Sequence, residues 1–519
     1  MAKLKLTSWL SSSQPAPTDA EKKKDKRRSY VPSAFARKSV DANGVNDKTS
    51  SVESVPAEPP SRMIALAQQI TRDTEKLDSY LKANNLPALS YNVDVPADFP
   101  KLPEDIARSR RDIIQASKEL GQLAHGPREA LRWAVWEFLD VLALQIINHF
   151  GIAKLFPIGE TITLKELASK TTLDPVNLAR AIRLVITKGI FREPSDGVIT
   201  HTAGSRILAE DGDMQAWIGF NAEDIFPASA HVLDSVKTYP EATQIVQSGF
   251  CFAFNTVNKE PMFVTFGKNA DRARRMGKAM VSLTGGEGYE MSYLIDVEGG
   301  GYDFSEIDAV GGTLVDVGGS HGFVSVELAK KYKNMKFVVQ DTTKTIASAP
   351  SPVSEDAQVA DRISLQGHDF FQEQVVKDAD VYFFRWIIHN YSTPFAVKIL
   401  KNLIPALKPG ARIVINDHCL RDAGQEDPWD ETVMRRMDMV MWTLLNAQER
   451  TEAEFRELFK AASDGFVFKG VTRPKNCRMS IIEAVWQPKE ESKEELKEES
   501  IEETKAEPED KPKEEAKEE

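Results

Sequence analysis

The chain has 519 residues, 41% of them hydrophobic, and a formal charge of −12, of which residues 488–519, with 15 acids against 7 lysines, hold −8. A body that close to neutral lacks the basic footprint nucleic acid selects, and no apolar run reaches the roughly 18 residues of a membrane span. Three scattered cysteines, Cys251, Cys419 and Cys477, and an N-terminus that turns polar early point to a reducing, cytoplasmic setting, and the length to two or more domains.

Residues 1–61, rich in Ser, Pro, Ala and Lys, cannot build a core and are expected to be disordered; their basic run at 22–28 reads as solvated charge rather than a nuclear address. Helices are predicted over 62–155 with loops around 87–103, and the segment 131–150 is apolar nearly all round, so it must be buried, at a subunit interface. A short helix at 163–171 precedes a second one that Asp174 caps and Pro175 starts, ending near Gly189. A hairpin of 190–192 and 198–200 then completes a winged helix. Its second helix offers only Arg180, Arg183 and Lys188 among apolar residues, which suits packing better than DNA. Residues 212–300 read as mainly helical.

From Gly311 the pattern changes to strands at 313–317, 336–340, 381–386 and 412–416, with helices at 323–332 and 394–407 between them. This predicts an α/β, doubly wound Rossmann-like sheet, closed at its edge by a hairpin of 465–471 and 479–486. The Lys-Glu-Glu units that follow have no apolar face and form a solubilising tail.

The glycine-rich turn Val315-Asp316-Val317-Gly318-Gly319-Ser320-His321-Gly322 follows a strand and opens a helix, so its backbone can approach a ligand closely. Asp341 ends the next strand, where a carboxylate accepts hydrogen bonds from the ribose hydroxyls of an adenosine cofactor. The loop alone leaves methyl transfer and hydride transfer both open.

His389 lies just beyond the strand that starts at Val381, on the side where open α/β sheets bind ligands. A phenol with pKa near about 10 needs an imidazole to take its proton, although one histidine at a strand end serves structure equally well. Asp417 at the end of the next strand and Glu449 beyond a long helix are expected to flank the ring, fix its tautomer and stabilise the imidazolium.

Together with Gly367-His368-Asp369-Phe370-Phe371, Arg385-Trp386-Ile387-Ile388-His389-Asn390-Tyr391-Ser392, Leu407-Lys408-Pro409-Gly410 and Gln448-Glu449-Arg450-Thr451, these segments resemble the caffeic-acid-type small-molecule O-methyltransferases. The intervals of 28 residues from His389 to Asp417 and 32 from Asp417 to Glu449 agree with that resemblance. It runs over about 62–487, and the N-terminal part is most similar to fungal enzymes of natural-product, polyketide-type methylation. It implies S-adenosyl-L-methionine held by Gly318, Asp341, Asp369, Phe370 and Arg385, with His389 as general base. It also implies a winged helix that makes a homodimer. Four positions depart from the family pattern: Ser320 replaces Gly, Arg385 replaces Lys, Asn390 replaces Asp and Asp417 replaces Glu.

On the helix expected at 431–446, Met434, Met437, Met441 and Leu444 form a stripe that periodicity alone assigns to core. The resemblance makes Met437 and Met441 a wall for a flat acceptor, faced by Phe252, Phe254, Met262, Phe263 and Met280, with Asn390 beside the base. The acceptor is then a small aromatic or polyketide-like molecule, and no metal is indicated because the acids match His389 rather than a cation. The expected division is a tail at 1–61, a helical winged-helix dimerisation domain at 62–211, a helical acceptor-wall region at 212–300, a methyltransferase domain at 301–487 and an acidic tail at 488–519. Three alternatives stay open: a fold relative with non-methylating chemistry, a catalytically silent interaction protein, and methyl transfer to nitrogen or carbon rather than oxygen.

Overall fold

The computed structural model describes residues 60–488, so the basic run at 22–28 and nearly all of the acidic tail lie outside the described residues. Helices Arg62–Ala83 and Glu104–Ala134 pack through Leu77, Leu81 and Ile106. The long helix expected over 131–150 is two. Around Trp136 the backbone tightens to bonds of the i to i−3 kind, Trp136 N–H to Trp133 O at 3.0 Å and Leu139 N–H to Trp136 O at 2.9 Å, before Phe138–His149 resumes. Instead of being buried within the chain, Leu131, Trp133, Val135, Trp136 and Phe138 are exposed.

Next comes Leu164–Ser169, started by a reciprocal cap between Thr163 and Glu166, and Pro175–Ile186, started by Asp174. Strands β1 (Thr161–Thr163), β2 (Arg192–Ser195) and β3 (Val198–Thr200) form an antiparallel sheet in the order β1-β3-β2. The hairpin's first arm is thus shifted from 190–192, and β1 is a strand of only three residues whose last residue doubles as a helix cap. Leu178, Ile182, Val185 and Ile199 join Ile147 and Ile152 in the core of this region.

In the C-terminal half, β4 (Thr313–Val317), β5 (Lys336–Asp341), β6 (Ile363–Gly367), β7 (Val381–Arg385) and β8 (Arg412–Asp417) are joined mainly by helices such as Phe323–Lys331 and Thr393–Leu403. The helix expected to reach 407 yields to a tighter turn, Ile404–Ala406, at Pro405. Two short strands, β9 (Cys419–Leu420) and β10 (Arg450–Thr451), pair separately, and β11 (Phe466–Thr472) and β12 (Ser480–Trp486) close the chain.

The main sheet has the order β11-β12-β8-β7-β4-β5-β6. Its strands β4 to β8 are parallel, while β12 runs antiparallel to both β8 and β11. From β4 the chain winds to β5 on one side and returns to β7 on the other, so the crevice between β4 and β7, at their carboxyl ends, is where such sheets receive ligands. Val315, Tyr382, Phe384, Ile413 and Ile415 pack beneath it. Among the described residues no helix is long and apolar enough to cross a membrane.

Candidate active site

The loop after β4 makes the first half of the site. Gly318 has φ 76°, and a Cβ there would lie 2.5 Å from Ile387; one on Gly319 would lie 2.5 Å from the Asp316 carboxyl. Both positions therefore demand glycine. Ser320 follows the same left-handed path at φ 53° despite its side chain, and its N–H donates to Asp341 Oδ2 at 3.0 Å. Thr342 N–H donates to the other oxygen at 2.7 Å, so the carboxylate at the end of β5 is fixed beside the loop. Beneath it, Asp316 accepts from Ser325 Oγ at 2.8 Å, and burial pushes its carboxyl up to about 6.

Phe370 lies across the loop, with its ring 3.8 Å from where a Gly318 Cβ would stand and 5.7 Å from the Tyr391 ring. Asp369 caps its own turn, accepting from Phe371 N–H at 2.9 Å. The Arg385 guanidinium is turned inward, bonded to the Asn416 side chain and to Tyr289 O at 2.7 Å, and burial lowers its pKa. A glycine cradle next to a carboxylate fixed at the end of the second strand fits an adenosine-bearing group.

The second half hangs from β7 and β8. Beyond Arg385, Trp386 has φ 57° and the turn Ile388–Asn390 lifts His389 into a site where it is only 5% exposed. Its Nδ1 lies 2.9 Å from Glu449 Oε1. Asp417 does not flank the ring, contrary to the expectation. Its Oδ2 accepts the backbone N–H of His389 at 3.1 Å, since an aspartate, one methylene shorter than glutamate, stops at the main chain. One acid orients the imidazole and the other holds the turn that carries it.

Glu449 is placed by backbone geometry. The helix Pro428–Leu445 ends at Asn446 in the left-handed conformation, and Glu449 N–H donates to Asp438 Oδ1 at 2.8 Å. Then β10 pairs in parallel with β9, Arg450 opposite Cys419 and Thr451 opposite Leu420, which sets the residues just before each strand, Glu449 and His418, side by side. His418 Nδ1 stands 3.4 Å from Glu449 Oε1. Arg450, 1% exposed, donates to Ile388 O at 3.1 Å and to Tyr391 O at 2.6 Å, clamping the His389 turn from both sides.

These groups set one another's protonation. Burial disfavours the His389 imidazolium, but the charge and hydrogen bond of Glu449 outweigh it and raise the imidazole pKa. Burial would likewise raise Glu449, yet the two imidazoles hold it at about 2. Asp417 is raised by burial, and burial lowers Arg450 to about 10 against the pull of both acids.

Neither His418 nor Arg450 was identified from the sequence. The available signals were that His418 directly follows Asp417 and that Arg450 directly follows Glu449.

Of the residues expected on the acceptor, Met280, Met437 and Met441 share one apolar cluster with Phe254, Met262 and Phe263. Met434 leaves it, its sulfur 3.9 Å from the Arg473 guanidinium, and Phe252 packs on Tyr239 instead, 6.2 Å between rings. Asn390 uses its amide to donate to Trp386 O at 2.7 Å, bracing the turn beside the base. Among the described residues no group of three or more His, Cys, Asp or Glu side chains could hold a metal ion.

Fold and site together define a doubly wound α/β protein with a glycine cradle and a fixed carboxylate on β4 and β5 and a carboxylate-backed histidine across the crevice. Comparison with known proteins specifies the class. A family model described as an O-methyltransferase domain matches residues 296–467. The chlorophenol O-methyltransferase of Trichoderma longibrachiatum is 59% identical over 85% of this chain and 92% of its own length. The O-methyltransferase gsfB of Penicillium aethiopicum is 33% identical over 82% of this chain and 99% of its own. The crystal structure of OxaC in complex with SAH and oxaline shares the fold, with a TM-score of 0.65 at 23% identity over 82% of this chain and 100% of that one. The chain belongs to the S-adenosylmethionine-dependent small-molecule O-methyltransferases.

Proposed function

We propose that the chain methylates the hydroxyl of a small phenol, with His389 as general base. The observation that carries this reading is the buried His389 Nδ1 to Glu449 Oε1 contact of 2.9 Å, which occupies one ring nitrogen and leaves Nε2 for the acceptor. S-adenosylmethionine would be held by Gly318, Asp341, Asp369 and Phe370, with Arg385 bracing Asn416 and Tyr289 behind them, and would supply an electrophilic methyl group whose bond to the sulfonium breaks to leave a neutral thioether. Nε2 of His389 takes the hydroxyl proton, which frees the oxygen to accept the methyl group. Glu449 stabilises the imidazolium that results, and Asp417 and Arg450 keep the turn from moving. The cluster containing Met280, Met437 and Met441 provides a compliant apolar wall for a planar ring.

The 59% identical relative is named for chlorophenols, which supports acceptors of that kind over extended polyketides. We also propose a cytoplasmic homodimer built by residues 62–211, with 212–300 forming the acceptor wall and 301–487 the cofactor domain. Exposed Trp133, Val135, Trp136 and Phe138 support the association.

The test is incubation of the full chain with methyl-labelled S-adenosylmethionine and a panel of chlorinated and unsubstituted phenols. Labelled aryl methyl ethers are expected, and their formation should fall sharply in His389→Ala. If no phenol becomes labelled, the acceptor assignment is wrong; if His389→Ala retains full turnover, the base assignment is.

A further inference from the structure

Deep in the site sits an imidazole to which the mechanism above gives no role. His418 is fully buried, and neither of its ring nitrogens has a hydrogen-bond partner. An imidazole always carries at least one N–H, and burying that donor unpaired costs free energy that an apolar side chain would avoid. Its surroundings are built rather than loose. The Trp386 ring meets it edge to face at 5.0 Å and the Tyr289 ring lies 5.7 Å away. Glu449 Oε1, the same oxygen that His389 uses, stands 3.4 Å from His418 Nδ1.

We propose that His418 is a positioning residue for the methyl transfer, a second imidazole on the Glu449 carboxylate that steadies Oε1 against His389 and shares its negative charge. This rests on the reading of His389 as the base. A carboxylate oxygen divided between two donors stabilises each less than an undivided one. His418 therefore keeps the imidazolium of His389 from becoming too stable, so that the base is free at a lower pH than Glu449 alone would permit.

The other charges around the pair are fixed. Asp417 faces His389 from the end of β8, Arg450 from β10, and Asp438 lies behind the Glu449 main chain. Across the ring of His418 stands Tyr289, with the Arg478 guanidinium 5.5 Å from that ring, and Arg385 bonds the Tyr289 carbonyl. Of these groups, Asp417 is also pulled down by His418, and His418→Phe and His418→Asn both remove that pull, so the difference between the two variants reports on the N–H toward Glu449.

The experiment is the pH profile of kcat/KM for the acceptor in the wild type, His418→Phe and His418→Asn. In His418→Phe the rise with pH should move up by roughly one unit. His418→Asn places an amide N–H where Nδ1–H was, and it should bring the rise most of the way back. In a Glu449→Gln background, His418→Phe should move nothing. An unmoved rise in His418→Phe, or the same shift in the Phe and Asn variants, would overturn the proposal.

Nitrogen-15 histidine NMR of the unaltered protein tests it without relying on a variant that folds. Beside the signal of His201, whose buried ring is bonded to Ser205 Oγ and Phe156 O, two protected, strongly downfield ring N–H protons are expected, and one alone would overturn it. A wild-type profile with no rise at all would instead defeat the base reading; a rise that His418→Phe leaves in place defeats only this one.

Discussion

The rim of β4 and β5 and the ends of β7 and β8 belong to one sheet, yet they hold charge in opposite ways. At the rim, Asp341 is satisfied by two main-chain N–H groups and is only partly buried. At the ends, His389, Asp417, His418, Glu449 and Arg450 are all buried, and each charge is tolerable because of the others. The first arrangement depends on backbone shape and the second on charge balance. Substitutions at the rim should therefore cost little and add independently, whereas those in the cluster should cost much and fail to add.

The largest effect expected is in turnover. His389→Ala should lower it by about 10²–10⁴-fold with cofactor affinity by calorimetry nearly unchanged. Adding Glu449→Ala or Asp417→Ala to it should reduce turnover little further, because those acids act through the histidine. As Glu449 raises the imidazole pKa and only the neutral ring accepts a proton, turnover should climb with pH and reach half its limit above 6.5. A half-rise below 6.5 would mean that burial outweighs the carboxylate.

Arg450→Met tests charge balance itself. It leaves two buried acids without their cation and the His389 turn without its clamp, so urea unfolding should show a loss of about 3–5 kcal/mol. A loss under about 1 kcal/mol would mean that the cluster is not balanced in the way described.

At the rim, Asp341→Ala should weaken S-adenosylmethionine binding by about 1.5–3 kcal/mol, roughly tenfold to a hundredfold in Kd, while leaving the pH profile where it was. Ser320→Gly is the smallest change. Releasing the left-handed strain of a serine is offset by the freedom glycine gains in the unfolded chain, so stability should stay within about 1 kcal/mol and Kd within about threefold. A larger loss would show that the Ser320 hydroxyl takes part in binding.

The same contrast accounts for what was legible in the sequence. β4, β5, β7 and β8 are short apolar runs with abrupt ends, and their expected bounds agree with the structure to about a residue. Gly318 and Asp341 could be identified because a tight turn and a strand end leave local marks. β6 was missed because only Ile363 and Leu365 of its five residues are large and apolar, as an edge strand permits. β9 and β10 have two residues each, too few for any period. That gap matters most, since their register brings Glu449 to His418 and Arg450 to the His389 turn. The spacing of His389, Asp417 and Glu449 marked the acids but not what each would grip. Whether a carboxylate reaches a ring or a main-chain N–H depends on one methylene and on a neighbouring turn.

The two-residue ladder of β9 and β10 also separates two tasks that the chain might have entangled. The proposed acceptor wall rides on the helix Pro428–Leu445, and Glu449, the acid behind the proposed base, comes only four residues after that helix ends. Were Glu449 carried on the helix, every shift made to admit a differently shaped ring would retune the base. A backbone ladder anchors it to β9, and a single hydrogen bond to the Asp438 side chain ties it to the helix, so Met437 and Met441 can be exchanged with the acid in register as long as Asp438 is kept. Such a molecule can diversify what it accepts by varying one face of one helix, without relearning its chemistry.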